Sequence, residues 1–395
     1  MRPERIVIVG GGIGGMALAA ALGRLGQPFV LLEQAPELGE VGSGLGILPG
    51  AVRALEVLGV SPDLFARAAP FRRFRIATQR GEDLAELSFS RVFARAGRTG
   101  YVMHRGELHA ALRACVDPGA VRTGSEVERI DAAGARVRAF VRGREAPEEG
   151  DLLIGADGLR SVVREHVLGD GAPRHAGETI FRGIAEESLD EPDLCREYFG
   201  RGRRTAYYEL SEGRVYWWAT SPEPAGRVVP PSERRAYLAR AFAGWAGGVP
   251  ERFARTPEER ILQNDIFDRP PARRWHRGRV GLLGDAAHPT TPNLGQGACM
   301  AIEDGLVLAR CIAEAPDPEQ AFSRFHRLRA RRTARTVRVS RWWGAAGLWA
   351  SPPATALRDA AFRLTPARLL EAQANAQYAY DPGGLPEPMR SDRSA

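Results

Sequence analysis

The run at residues 5–9, Arg-Ile-Val-Ile-Val, leads into a stretch that is almost all glycine at 10–15, and an Ala/Leu-rich helical segment follows at 16–25. A short, continuously apolar run of this kind reads as a strand buried on both faces, which calls for a parallel sheet covered by helices. A second such run at 29–32 ends in Glu33, so the first 33 residues complete a βαβ unit. Gly10, Gly12 and Gly15 satisfy GxGxxG between strand and helix. There glycine permits a tight turn and close approach to a pyrophosphate, and the helix N-terminus attracts the anion. Glu33 lies 18 residues beyond Gly15, where a carboxylate can accept hydrogen bonds from both ribose hydroxyls. A dinucleotide is implied, and this motif alone leaves NAD and FAD equally open.

Further along, 42–50 is loop-like and 51–58 helical. Between 71 and 99 the pattern turns to polar alternation around Phe71, Phe74, Ile76, Leu87 and Phe89, which predicts an antiparallel excursion. Helical periodicity resumes at 105–116, and 151–154 is another buried strand. From 179 to about 268 the chain is rich in Tyr, Trp and Phe, and 204–210 faces 214–220 across a short turn at 211–213, a hairpin in a separate sheet. Residues 280–283 form a third buried strand, followed by Gly284-Asp285, a Pro/Gly loop and a helix over 297–315. The nucleotide-type segments bracket the sheet-like ones. The expected fold class is α/β: a Rossmann-like dinucleotide-binding domain, discontinuous in sequence (1–70, 100–178 and 269–317), and a β-rich substrate domain inserted into it (71–99 and 179–268). A helical C-terminal region (318–380) and a disordered tail (381–395) complete it.

Two strand-end aspartates separate the cofactors. Asp157 stands in DLLIGADGLRSVVR (151–164), ahead of a helix bearing Arg160 and Arg164, and Asp285 stands in GRVGLLGDAAHPTTPNLGQGACMAIEDG (278–305). Together with the N-terminal glycines, in this order, they resemble the motifs of the single-component FAD-dependent aromatic hydroxylases. This is the class of para-hydroxybenzoate hydroxylase, and the likeness is to its branch of salicylate hydroxylase, bacterial urate hydroxylase and zeaxanthin epoxidase. The match spans most of the chain. It implies a non-covalent FAD whose ADP half is held by Gly10, Gly12, Gly15 and Glu33. Arg105, in MHRGEL, would reach the FAD phosphate and ribityl region. Asp157 would serve both the flavin and the nicotinamide cofactor, and Asp285 would bind the ribityl chain. The backbone of Leu294, Gly295, Gln296 and Gly297 would approach the flavin pyrimidine edge, where a helix N-terminus stabilises the anion of reduced flavin. The implied reaction is an NAD(P)H-dependent insertion of one atom of O2 into an aromatic or conjugated small molecule through a flavin C4a-hydroperoxide. With a single GxGxxG, NADH or NADPH would bind transiently. An epoxidase, a reductase or dehydrogenase without oxygen insertion, and a ligand-sequestering flavoprotein stand as alternatives on the same scaffold.

The phenol-hydroxylating branch often has Asn shortly after GQG, whereas Ala298 and Cys299 stand here, so the substrate is not transferable from it. Candidate substrate-positioning or flavin-facing residues are Arg182 in ETIFRGIA, Tyr208, Trp217 and Pro289. Alternation puts Tyr216 and Trp218 on one face of the hairpin and Trp217 on the other, and either face could line a pocket. His288 has no triad partner at a telling spacing, and the histidines show no metal pattern. Cys299 and Cys311 read as small buried hydrophobes, the Arg-dense run at 324–341 as a solvated helix, and Trp342, Trp343 and Trp349 as core, lid or dimer contact.

Composition narrows the rest. All 55 basic residues are arginine, which removes Schiff-base and pyridoxal-phosphate chemistry, a phosphate loop ending in Lys-Ser/Thr, and flavin-dependent halogenation. The net charge of +7, spread along the chain, is small for nucleic-acid binding. Four cysteines without a CxxC pair, no apolar stretch of membrane-spanning length and no signal-peptide layout fit a cytoplasmic monomer or homodimer.

Overall fold

The computed structural model describes residues 3–39, 43–94, 96–211 and 213–387. Two sheets organise it. The first has six strands in the order His276–Arg277, Val280–Leu282, Leu152–Gly155, Ile6–Val9, Phe29–Leu32 and Val121–Arg122. All pairings are parallel except the first. Its inner strands carry Ile, Val and Leu with no polar alternation because helices cover them, and Ile6, Val7, Ile8, Leu153 and Val280 are fully buried. Helices Ile13–Arg24 and Gly297–Glu314 cross at Gly305, where a Cβ would stand 2.6 Å from the Leu18 nitrogen. Only glycine allows that approach.

The second sheet has seven strands in the order Leu262–Asp268, Arg174–Glu186, Arg214–Ser221, Arg204–Glu209, Leu194–Phe199, Arg73–Thr78 and Asp83–Ser88. The hairpin expected at 204–220 is its centre, with Tyr208 paired to Tyr216 and Ala206 to Trp218. One face packs against helices Arg234–Ala241 and Val249–Arg255 through Phe181, Trp217, Leu238, Phe242 and Phe253. The other face looks toward the first sheet.

Several local expectations change. Residues 44–47, read as loop, form a strand antiparallel to Gly100–His104. Its glycines have little strand propensity, but a Cβ on Gly44 would lie 2.5 Å from the Tyr216 ring, so tertiary packing holds the strand. The excursion at 71–99 does contain the antiparallel pair 73–78 and 83–88, but Phe71 belongs to a strand beside Gly100–His104 and Phe89–Ala94 is a helix. An unassigned stretch forms a small antiparallel sheet of Val127–Asp131, Val137–Val141 and Glu148–Gly150. The C-terminal part is helical over Pro318–Gly347, Pro352–Leu364 and Ala367–Tyr378. Beyond it, 381–387 has no regular structure yet is held in place, the Pro382 carbonyl accepting from Arg310 Nη1 at 2.8 Å. The remainder of the expected tail, 388–395, lies outside the described residues.

Candidate active site

A cavity of about 960 Å³ lies between the two sheets and under the C-terminal helices, at the upper end of volumes typical of ligand sites. On the first-sheet side its wall is backbone. Gly12, Gly46, Gly158 and Gly295 all line it, and none has a protein atom within 4 Å of where a Cβ would stand. Side chains there would project into the cavity, so these four positions form a cradle for something that approaches the main chain closely. Helix Ile13–Arg24 begins at Gly12 and helix Gly297–Glu314 at Gln296, both without a side-chain cap. Two sets of unsatisfied N–H groups at one cavity suit an elongated ligand with more than one anionic portion.

The motif residues converge on this cradle in different ways. Gly10 adopts φ +104°, and a Cβ on Gly15 would lie 1.9 Å from the Gly10 carbonyl; these two glycines make the turn, and Gly12 and Gly14 border the cavity. Glu33 accepts from Gly11 N at 2.6 Å and Ala35 N at 2.8 Å, which pins its carboxylate beside the glycine turn. Arg105 and Asp285 both line the cavity, with Gly284, Leu294, Gly295, Gly297 and Ala298. Asp285 is exposed to the open cavity, with protein on the sides around it. The surrounding protein raises its pKa, against the opposing charges of His288 and Arg105. Burial likewise lowers that of Arg105, whose electrostatic neighbours are Asp285, Arg182 and Tyr216.

Across the cavity the wall is made of side chains. Ile180 and Arg182, Tyr216, Trp218 and Thr220, and Ala206 and Tyr208 face inward from neighbouring strands at the two-residue spacing of a sheet. Arg182 donates from Nη2 to Asn264 Oδ1 at 2.5 Å, and its buried Nε has no partner among the described residues. Burial pushes the Tyr216 hydroxyl up to about 12, while the nearby positive charge of Arg182 pulls the other way. Arg182 and Arg105 therefore bring two guanidinium groups to a wall that also carries aromatic faces, with Asp285 an electrostatic neighbour of Arg105.

Residues 4–197 and 255–341 match the family described as FAD binding domain. The chain belongs to that family. It is 37% identical over 380 residues, 95% of this chain and 98% of the other, to an aurachin C monooxygenase/isomerase of Stigmatella aurantiaca. It is 33% identical to a 2-heptyl-3-hydroxy-4(1H)-quinolone synthase of Pseudomonas aeruginosa, over 91% of this chain and 94% of the other. Klebsiella pneumoniae HpxO, solved with FAD and uric acid, superposes with a TM-score of 0.87 at 28% identity, covering 95% of this chain and 96% of that one. The chain is an FAD-dependent monooxygenase, and the cradle of bare glycines and uncapped helix ends fits that cofactor.

Some of the residues singled out in the sequence are turned away from the cavity. The Asp157 carboxylate does not line the cavity. It accepts from Ser161 Oγ at 2.5 Å and Val163 N at 3.2 Å, holding the start of helix Val162–Leu168, while its neighbours Ala156 and Gly158 border the open space. Trp217 points to the opposite face of the sheet, donating from Nε1 to Thr256 Oγ1 at 2.8 Å and packing on Phe253. The face carrying Tyr216 and Trp218 is the one toward the cavity. Pro289 is buried behind the wall and Gln296 is turned inward, whereas Thr290 and Pro292 reach the surface of the cavity.

Other residues came to light only in three dimensions. His109 contacts the Gly11 carbonyl from Nε2 at 2.8 Å and so supports the glycine turn; its place one helical turn after Arg105 was the available signal. Arg164, almost fully buried, donates from Nη1 to the Ala286 and Ala287 carbonyls at 2.8 and 2.9 Å, bracing the turn that presents Asp285. Behind that turn His288 Nε2 meets Asp304 Oδ2 at 2.6 Å, and Arg329 donates to Asp304 Oδ1 at 2.6 Å and to Glu303 at 2.7 Å. The arginine-rich helix is thus not merely solvated. Cys299 and Cys311 are buried as expected, Trp343 packs between Phe199 and Phe362, and Trp342 stands exposed at the cavity edge. Among the described residues no group of His, Cys, Asp and Glu is suited to a metal, and no helix is long and apolar enough to cross a membrane.

Proposed function

We propose that the protein hydroxylates a planar, electron-rich aromatic or heteroaromatic molecule that lies against Tyr208, Tyr216 and Trp218, with NAD(P)H as electron donor and O2 as co-substrate. The observation that carries this reading is that Arg182 and Tyr216 face the same cavity from paired strands, with Arg105 also on its wall. Arginine stays protonated and offers a fixed fork of donors, so Arg182 orients a phenolate, carbonyl or carboxylate oxygen and moves no proton. Relatives named for quinolone and urate chemistry support a heteroaromatic ring.

In this reading residues 1–70, 100–178 and 269–317 hold the cofactor, and 71–99 and 179–268 supply the substrate wall. Gly10, Gly12, Gly15 and Glu33 hold the ADP half, Asp285 and Arg105 hold the ribityl and phosphate region, and the main chain of 294–297 meets the flavin edge. FAD held there would supply the redox chemistry, hydride acceptance from NAD(P)H and activation of oxygen. The chain's own part is to orient the ring, to exclude water with its aromatic walls and to stabilise negative charge through the N-terminus of helix Gly297–Glu314. Four free cysteines support work in the reducing cytoplasm, as a monomer or homodimer. The test is a library of aromatic compounds screened for stimulated NAD(P)H oxidation, followed by turnover under labelled oxygen. One labelled atom per product is expected. An oxidised product without label would replace the monooxygenase reading of this site by a dehydrogenase.

A further inference from the structure

The cavity wall changes character across the seven-stranded sheet. At one end stand Arg182 and Asn264, in the middle the aromatic residues Tyr208 and Tyr216, and beyond them the wall is hydrocarbon: Cys195 on Leu194–Phe199, Phe74 on Arg73–Thr78 and Leu87 on Asp83–Ser88. Helix Ala367–Tyr378 closes this end with Leu370, Ala374 and Tyr378 at the spacing of one helical face, and with Gln373 and Gln377 beside them. From the strand of Tyr208 to that of Leu87 is three strand spacings, about 14 Å. The one carboxylate on this stretch, Glu197, is satisfied from within: Arg204 Nη1 donates to it at 3.0 Å and Trp343 Nε1 at 3.4 Å.

A ring held by Arg182 and Tyr216 does not extend into this arm, and the glycine cradle for FAD is on another wall. A polar substituent there would exchange its hydrogen bonds to water for a wall that is mostly carbon, with Gln373, Gln377 and the Tyr378 hydroxyl as its few polar groups. An aliphatic chain would gain contact along its whole length. Where the arm meets solvent, Val339 and Trp342 are exposed on one helix, with Arg335 one turn before Val339 and Leu370 on the next helix. We propose that the substrate carries an aliphatic chain, alkyl or isoprenoid, which runs from the ring site across the 194–199, 73–78 and 83–88 strands beneath helix Ala367–Tyr378. This deepens the reading of the site as an aromatic hydroxylase and rests on it.

The test uses FAD-loaded protein and dissociation constants from equilibrium dialysis, with 4-methyl-, 4-butyl- and 4-heptylphenol as ring probes and butan-1-ol and decan-1-ol as chain probes. Affinity should rise about three- to fourfold per added methylene, the value for one buried CH2 group. The wall substitutions Ala374→Phe and, on a different element, Leu87→Trp should flatten that dependence, with FAD content reporting that each variant folds. A chain-length dependence that is flat in the wild type, or unchanged in both variants, overturns the proposal. If decanol binds and is displaced by the substitutions while no phenol binds, the arm stands and the aromatic reading of the ring site falls. If phenols bind without regard to chain length, the ring site stands and the arm falls.

Discussion

The two walls of the cavity are built on opposite principles. The side we assign to FAD is main chain: glycines that leave room, helix ends that offer N–H groups, and an acid pinned to the turn it serves. The substrate side is side chain, with Arg182, Tyr208, Tyr216 and Trp218 brought together from separate strands by sheet register. The first wall is set by short stretches of sequence, each containing its own reason for being there. The second exists only after strands distant in sequence have paired. Substitutions on the first wall should therefore act on cofactor occupancy, and those on the second on substrate alone.

The largest effect is expected of Gly12→Val. No protein atom lies within 4 Å of the position its Cβ would take, so the apoprotein should melt near the wild-type temperature while the side chain fills space meant for the cofactor. Absorbance of the purified protein and FAD titration should show no bound flavin. Retention of full FAD occupancy would mean that this loop is not where the cofactor approaches.

Next in size, Arg182→Ala probes the other wall. Losing a charged hydrogen bond costs about 1.5 to 3 kcal/mol, roughly ten- to 150-fold in binding. The loss should appear in KM and in hydrogen peroxide released per NAD(P)H consumed, with FAD content unchanged. If FAD were lost instead, Arg182 would belong to the cofactor wall and the contrast between the two walls would collapse.

That contrast also explains what could be read in the sequence. Gly10, Gly12, Gly15, Glu33 and Asp285 could be singled out because strand, glycine turn and helix follow one another directly; Gly12 and Asp285 line the cavity, while Gly10, Gly15 and Glu33 shape the turn behind it. Asp157 was drawn toward the flavin by its motif, but its carboxylate is spent within six residues on Ser161 and Val163, a local competition that a motif does not display. The two faces of the hairpin could be separated by alternation but not assigned, since each is rich in aromatics and only the helices at 234–241 and 249–255 decide which is covered. Gly44 was read as loop because its strand character depends on Tyr216, far away in the chain. Arg335, Ala374 and Tyr378 of the C-terminal helices line the cavity and carry no local signal at all.

A smaller, two-sided effect is expected of Asp285→Asn. The surrounding protein raises the folded-state pKa of Asp285 above its ordinary value, but its exposure to the open cavity screens the ionised carboxylate, so removing the charge should raise apoprotein Tm at pH 7 only slightly. The gap should close as pH falls toward about 4, where the unfolded carboxyl also binds its proton. FAD affinity should move the other way, weakening about tenfold as a charged hydrogen bond becomes a neutral one, about 1.5 kcal/mol. Thermal unfolding with and without FAD across this pH range measures both. If the substitution lowered apoprotein Tm at pH 7, Asp285 would be a structural anchor of its turn instead of a group held ready for a ligand.

The smallest effect on catalysis is expected at Trp217, and it tests the comparison most closely because Trp217 lies between Tyr216 and Trp218, its backbone paired with Gly183 next to Arg182. Its ring fills the far side of the sheet so tightly that a Cβ on Gly183 would meet it at 2.6 Å, and its indole N–H is satisfied by Thr256. Trp217→Phe keeps an aromatic ring, leaves the Thr256 hydroxyl without that donor and opens a small void, which together should cost about 1 to 3 kcal/mol of stability. KM, coupling and FAD content should stay at wild-type values, because nothing on the cavity face has changed. A Tm lowered by several degrees with intact kinetics is the signature of a residue that belongs to the sheet's covered side. A raised KM or increased peroxide release would instead show that the two faces communicate through the strand, and that the substrate wall depends on the packing behind it as much as on the side chains it presents.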